Sequence, residues 1–201
     1  MIIVMAQGSQ ARMRRSIGDT PKQFLEVAGE PIIKRTLRLV DGLRVAVVGR
    51  KEWATSLPGT DIVNLQCPGE NVVQGIFQCG SLWEDDALFL LGDVVYSRRL
   101  LGRILGERTP GVLVWGRVGR PNPVTGRAYD EMYALRLGVE GAIRFVRLAY
   151  TCSNLHDVRK LIARQDEFRP VDADDYTDDV DLPEDLPLLP LLGGAVLKEA
   201  Q

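Results

Sequence analysis

The run Met1-Ile2-Ile3-Val4-Met5-Ala6-Gln7-Gly8-Ser9-Gln10-Ala11-Arg12-Met13 decides how the rest of the chain reads. Its first six residues are apolar without a break and stop at a polar segment containing a glycine. A strand covered on both faces has this pattern, because neither face needs polar side chains. Residues 1–6 are therefore predicted to form a central parallel strand. Residues 7–22 are polar and basic, with Gly8, Gly18 and Pro21, and read as a loop with one helical turn.

Working outward, Pro31 opens an amphipathic stretch, Ile32-Ile33 with Leu37 and Val40, at the place where proline suits a helix start. Residues 43–49 are predicted as a second strand and 61–65 as a short third. Residues 71–83 read as a helix with Val72, Val73, Ile76, Phe77 and Leu82 on one side. Residues 87–91 are a buried strand ending at Gly92-Asp93, residues 98–108 a helix and 111–116 a strand. Residues 117–128 read as a loop, 131–137 as a strand and 155–166 as a helix. Strands alternating with helices of these lengths imply an α/β fold. The predicted fold class is a single domain with a mixed, mostly parallel central sheet flanked by helices. The expected domain spans residues 1–186, with residues 187–201 as a C-terminal tail packing on it.

Composition narrows the function. The 25 Lys and Arg against 27 Asp and Glu leave the net charge near zero. That balance does not point to nucleic acid or an anionic membrane as partner. Cys67, Cys79 and Cys152 are scattered and fit a reducing compartment better than a disulfide framework or a zinc site. The single histidine, His156, argues against His-based metal or triad chemistry. The short apolar start lacks the basic region of a signal peptide, so the expected location is cytoplasmic.

Three stretches carry candidate chemistry. In the first, Gly8 lets the backbone approach a ligand, and loops at the carboxyl ends of α/β strands form the binding crevice. Backbone N–H groups from Ala6 through Gln10 can cradle phosphates there, with Arg12 and Lys22 adding positive charge. An ordinary loop with solvated basic residues has the same spacing. The second is Leu90-Leu91-Gly92-Asp93-Val94, where Asp93 either turns the chain or points into the same crevice. The third is Asp179-Val180-Asp181-Leu182-Pro183-Glu184-Asp185-Leu186. Taken alone it is an acidic turn before a helix, with Pro183 in the first turn. Asn71, ahead of the helix at 71–83, reads first as an N-cap. Arg117, Arg120 and Arg127 either receive an acidic acceptor or are solvated, and Glu131 begins a late strand. Trp53, Trp83 and Trp115 read as packing residues.

The first stretch, with Pro21-Lys22-Gln23-Phe24-Leu25, Gly29 and Pro31, resembles the signature of the GT-A-like nucleotidyltransferase superfamily. That superfamily includes sugar-phosphate nucleotidyltransferases, methylerythritol-phosphate cytidylyltransferase and molybdenum-cofactor guanylyltransferase. Gly8, Arg12, Met13, Pro21, Lys22, Gly29 and Pro31 match, while Gln10 replaces the second glycine and Gln7 an alanine or glycine. The Pro21-Lys22-Gln23 segment leans toward the cytidylyltransferase branch.

The resemblance implies an enzyme that moves a nucleotidyl group from a nucleoside triphosphate to a small phosphorylated acceptor, with Mg²⁺ as cofactor. It implies nucleotide binding by Ala6, Gln7, Gly8, Ser9, Gln10, Arg12, Lys22, Asn71 and Asp93. Lys22 and Arg12 would act in catalysis, and Asp93 and Asp181 would hold the metal, with Asp179 as the alternative to Asp181. Leu182 stands where the family has threonine. Two other readings share the residues: a GT-A glycosyltransferase using a nucleotide sugar, and a diverged nucleotide-binding module without catalysis. The base, the acceptor and the choice between monomer and homodimer are left open.

Overall fold

The computed structural model describes residues 1–6, 13–64, 71–83, 85–128, 130–149, 151–152, 154–162, 168–170 and 175–201. In chain order the elements are β1 (Ile2–Met5), α1 (Arg14–Ile17), β2 (Glu26–Val27), β3 (Glu30–Pro31), α2 (Ile32–Leu39), β4 (Val45–Val48), β5 (Asp61–Val63) and α3 (Val72–Gln78). There follow β6 (Asp86–Leu91), β7 (Val94–Val95), α4 (Arg98–Gly106), β8 (Val112–Arg117), β9 (Glu131–Gly138), α5 (Val139–Ala149) and α6 (Leu155–Ile162). Last come β10 (Phe168–Pro170), β11 (Asp178–Asp179) and α7 (Leu189–Glu199).

Seven strands form one sheet in the order β10-β8-β9-β6-β1-β4-β5. Strand β9 runs antiparallel to both neighbours, and the other pairs are parallel. The expected mixed, mostly parallel α/β sheet is therefore what the chain forms. The unbroken apolar run at the N-terminus has its reason in β1. Ile2, Val4 and Ala6 enter the core on one face with Ile33 of α2 and Leu100, Leu101 and Ile104 of α4. Ile3 and Met5 enter the other face with Val73 and Ile76 of α3, Phe145 of α5 and Val158 of α6. Alternate residues of a strand point to opposite faces, so a strand packed on both must be apolar throughout.

A third cluster, Met13, Val27, Ile32, Val95, Tyr176, Val180 and Leu192, joins the β2–β3 hairpin, β7, β11 and α7. The hairpin turns through Ala28 and Gly29, both at positive φ (56° and 77°), as a two-residue hairpin of the primed type requires.

Several boundaries differ from expectation. Pro31 precedes α2 in extended backbone (φ −57°, ψ 137°) and does not lie in its first turn. The helix expected at 71–83 is α-helical over Val72–Gln78 and tightens to a 3₁₀ turn over Cys79–Leu82. Helix α5 was not foreseen, because the apolar run of β9 passes into it without a turn residue other than Gly138. The tail forms α7 despite Pro187, Pro190 and two glycines. Pro190 sits in the first turn, where its missing N–H forfeits no bond. No described helix is long and apolar enough to cross a membrane.

Candidate active site

The chain leaves β1 toward β4 on one side and later returns to β6 on the other, so β1 and β6 flank a topological switch point. Open α/β sheets place their binding crevice outside the carboxyl ends of such strands. Here the two ends are drawn together: the Gly92 N–H donates to the Met5 carbonyl at 2.9 Å. A Cβ on Gly92 would lie 3.0 Å from the Ala6 Cβ and 3.1 Å from the Met5 carbonyl oxygen. Glycine is what lets the strand ends meet.

Asp93 follows directly, in a turn closed by Tyr96. The Tyr96 hydroxyl accepts the Leu91 N–H at 2.9 Å and donates to the Tyr133 carbonyl at 2.5 Å. The same turn feeds β7, which pairs antiparallel with β11, Val94 opposite Asp179. The Val180 N–H then donates to the Asp93 carbonyl at 3.1 Å. This short ladder delivers Asp181 to Asp93, across 88 positions of sequence.

Asp181 is held in turn by Asp185. One carboxylate oxygen of Asp185 accepts the N–H groups of Asp181 (2.8 Å) and Leu182 (2.7 Å) at the start of the 3₁₀ segment Pro183–Leu188. The acidic-turn reading of this stretch holds through Asp185, which caps, while the Asp181 side chain meets Lys22.

Lys22 opens a 3₁₀ turn, Lys22–Phe24, directly after Pro21 in extended backbone. Its Nζ contacts Asp93 Oδ2 and lies 2.7 Å from Asp181 Oδ1. The side chains of Lys22 and Asp93 are 12% and 15% exposed, that of Asp181 34%. Burial by itself would lower the lysine pKa, but the charges of Asp93 and Asp181 outweigh it and hold Lys22 above its ordinary value. Lys22 is therefore a fixed cation between two carboxylates.

Those two carboxylates suit Mg²⁺. A hard ion that keeps most of its shell for water and phosphate needs one or two protein carboxylates converging on one point. The Lys22 ammonium marks that point. Among the described residues no group of three or more His, Cys, Asp or Glu side chains could hold a metal by themselves.

Beside this pair lies a second charged cluster, centred on Arg127. Its Nη1 donates to the Asp179 carbonyl at 2.8 Å and to Asp179 Oδ1 at 2.9 Å, and lies 3.3 Å from Asp178 Oδ1. Its Nη2 donates to Glu131 Oε1 at 3.2 Å, and its Nε lies 3.3 Å from Asp185 Oδ1. The side chain is 8% exposed. Glu131 reaches this cluster through a bulge in the β8–β9 pairing: Trp115 faces Ala134, Gly116 faces Met132, and Tyr133 is the extra residue. Bulges re-aim side chains in this way beside functional sites. Burial pushes the Glu131 carboxyl up to about 7, with Arg127 pulling it down and Asp178 and Asp181 pushing it further up. Burial and Glu131 likewise hold Asp179 well above the usual carboxylate range, against Arg127.

Arg117 and Arg127 are thus neither solvated nor presented to an acceptor. Buried Arg117 donates to the carbonyls of Asp175 (2.6 Å) and Thr177 (2.9 Å), while Arg120 is exposed. The internal use of two arginines is what the sequence reading missed. The signal for it was Asp178, Asp179 and Asp185 in one short segment, an acid density that needs a buried cation.

The structure brings Ala6, Lys22, Asp93 and Asp181 together. It pairs Asp179 with Arg127, whereas Asp181 pairs with Lys22. Asn71 caps α3, its Oδ1 accepting the Gln74 N–H at 3.0 Å. Gln7, Gly8, Ser9, Gln10, Ala11 and Arg12 lie outside the described residues. Trp53 packs edge-on against Phe24, and Trp83 against Phe89 and Phe145.

The sequence model of one protein family, the MobA-like NTP transferase domain, matches residues 2–158. No curated protein matches the chain. Among solved structures, the inositol-1-phosphate CTP transferase from T. maritima superimposes with a TM-score of 0.70 at 17% identity, over 98% of this chain and 96% of that one. A protein from Bacillus anthracis assigned as a glucose-1-phosphate thymidylyltransferase, in complex with a sucrose, gives 0.68 at 15% identity, over 96% and 94%. At these identities the likeness is one of fold.

Proposed function

The chain belongs to the MobA-like NTP transferase family and is a nucleotidyltransferase; on that premise we propose that it transfers a nucleoside monophosphate from a triphosphate to a small phosphorylated acceptor, using Mg²⁺ and releasing pyrophosphate. The observation that carries this reading is the convergence of Asp93 and Asp181 on one cation position at the switch point between β1 and β6.

In the proposed reaction an acceptor phosphate oxygen bonds to the α-phosphorus, and the bond from that phosphorus to the bridging oxygen of the leaving pyrophosphate breaks. An ionised phosphate needs no general base, so the work of the chain is alignment and charge neutralisation. Asp93 and Asp181 would hold Mg²⁺, which when bound neutralises phosphate oxygens as a Lewis acid. Lys22, released from the carboxylates, would turn its ammonium to the triphosphate and the leaving group. The backbone from Ala6 through Gln10 would donate to phosphate oxygens, Arg12 would add a second positive charge, and Asn71 would stand toward the base. A cytoplasmic setting fits the two free, buried thiols Cys79 and Cys152. Two structural relatives whose names carry a sugar or polyol phosphate acceptor support a substrate of that class.

The test is a thermal-shift panel of CTP, UTP, GTP, ATP and dTTP, each with and without Mg²⁺. A ligand at one hundred times its dissociation constant adds about 2.7 kcal/mol, which in a domain of this size is roughly 2–4 °C per kcal/mol. One triphosphate shifting the transition only with Mg²⁺ is the expected result. A shift with a nucleotide sugar and Mn²⁺ but no triphosphate would replace this reading by glycosyl transfer. Silence toward every nucleotide would remove the enzyme reading.

A further inference from the structure

Besides the Lys22 contact and the bond from the Val180 N–H to the Asp93 carbonyl, two routes that fix Asp181 pass through Arg127. One route is main-chain: Arg127 Nη1 donates to the Asp179 carbonyl at 2.8 Å, two residues before Asp181. The other is Asp185. One oxygen of that carboxylate lies 3.3 Å from Arg127 Nε, and the other accepts the Asp181 and Leu182 N–H groups. Arg127 is itself held by its loop. Asn122 N–H donates to the Arg127 carbonyl at 2.7 Å, and the Asn122 amide donates to the Thr177 carbonyl (3.3 Å) and to Asp178 Oδ2 (3.0 Å). Thr125 donates to the same Asp178 oxygen at 2.8 Å.

We propose that Arg127 is a positioning residue for metal binding, acting through Asp185 and the Asp179 main chain to aim the Asp181 carboxylate at the cation position. The inference rests on the reading of Asp181 as a metal ligand. A planar guanidinium presents its donors in a fixed fork, so one side chain can meet Asp178 and Asp179 through Nη1, Glu131 through Nη2 and Asp185 beside Nε. A lysine ammonium has three donors on a flexible stem and cannot reproduce that pattern. Groups that orient a metal ligand affect affinity without touching the metal.

Charge and position make opposite forecasts, which makes the inference testable. Were Arg127 only a positive charge near a cation site, Arg127→Lys would leave metal affinity unchanged, and Arg127→Gln would tighten it by removing a repulsive neighbour. A positioning role makes Arg127→Lys weaken affinity although the charge is kept. The experiment is Mn²⁺ titration by electron paramagnetic resonance, on the whole chain with a non-hydrolysable triphosphate, for wild type, Arg127→Lys, Arg127→Gln, Asp185→Asn and Asp181→Asn. Arg127→Lys and Asp185→Asn are expected to weaken Mn²⁺ roughly 10–100-fold, with a variant carrying both substitutions no worse than the poorer single one. In turnover, Arg127→Lys should raise the Mg²⁺ concentration for half-maximal rate while kcat at saturating Mg²⁺ stays within a few-fold. Asp185→Asn keeps the Arg127 contacts to Glu131, Asp178 and Asp179, so it carries the test if Arg127→Lys does not fold. Mn²⁺ affinity unchanged in Arg127→Lys, or in Asp185→Asn where it alone folds, while Asp181→Asn weakens it, would overturn the positioning role and leave the metal site standing. Mn²⁺ binding unchanged in Asp181→Asn would instead remove the metal site itself.

Discussion

Replacing Lys22 by methionine keeps most of the aliphatic stem and removes the ammonium that joins Asp93 to Asp181. The structure forecasts three coupled effects. First, the metal-free protein loses a charge-assisted contact to each carboxylate and gains their mutual repulsion. Hydrogen bonds to charged groups are worth about 1.5–3 kcal/mol each. The Asp181 contact must be discounted, because that side chain is 34% exposed and solvent screens it. A loss of about 2–3 kcal/mol remains, which in a domain of this size is roughly 4–12 °C in the melting midpoint. Second, a divalent cation no longer competes with Lys22, so Mn²⁺ in the absence of nucleotide binds more tightly than to wild type and restores part of the lost stability. Third, triphosphate binding weakens by about 1–3 kcal/mol, roughly 5–150-fold, because its lysine contact is gone. Thermal melts in EDTA and in Mn²⁺, with calorimetric titration of the triphosphate, read all three. An unchanged midpoint in EDTA together with unchanged Mn²⁺ affinity would refute Lys22 as the counter-ion of the pair.

Asp93→Asn is expected to abolish turnover while circular dichroism stays native; wild-type turnover would take Asp93 out of the metal site. Gly92→Ala places a Cβ 3.0 Å from that of Ala6 and 3.1 Å from the Met5 carbonyl, so it should cost about 1–3 kcal/mol as overpacking, and an unmoved urea midpoint would show that the strand ends are looser than drawn. Glu131 faces Arg127, Asp178, Asp179 and Asp181, and its carboxyl is raised from 4.5 to about 7; a raised acid stabilises the fold below its unfolded value and loses that contribution as pH rises through its folded one. Metal-free stability should therefore decline between about pH 4.5 and 7 on this account, and Glu131→Gln should flatten the decline in a pH series of melts, whereas a parallel decline in both proteins would assign it elsewhere.

The sheet was legible because it rests on local patterns. The apolar run of β1 needs no partner to be recognised, and Gly92-Asp93 ends β6 as a turn should. Lys22 could be read as a positive charge beside the glycine loop, but its meeting with Asp181 could not: that depends on the β7–β11 ladder, two residues paired with two, too short to leave a periodic trace. Arg127 was misread for the same reason in reverse. In sequence it sits among Gly, Pro, Asn and Thr, as a solvated loop residue does, and only the fold sets it against Asp178, Asp179 and Asp185. Helix α7 was hidden by Pro190 and by Gly193-Gly194. Gly193 faces the hairpin turn, where a Cβ would come within 3.2 Å of the Ala28 nitrogen.

The two clusters divide one electrostatic problem. A crevice for polyphosphate would be expected to be basic, yet the described residues gather six carboxylates, Asp93, Glu131, Asp178, Asp179, Asp181 and Asp185, around Lys22 and Arg127. Arg127 is 8% exposed and locked by its own loop, so the four acids around it are neutralised as part of the fold, the pair Glu131 and Asp179 also through their raised pKa values. Asp93 and Asp181 are different. Both meet Lys22, a lysine on a flexible stem in a turn beside the crevice, and a lysine can leave where an arginine fork cannot. An anionic substrate cannot approach two bare carboxylates, and a divalent cation cannot displace Lys22 unless the ammonium finds another anion. On the proposed function each arrival would solve the other's problem: the metal would cover Asp93 and Asp181 while the triphosphate took up Lys22. Such an arrangement would favour metal and triphosphate entering together, with positive coupling between them. In the positioning role proposed for it, the buried arginine would keep Asp181 in place while that exchange occurs.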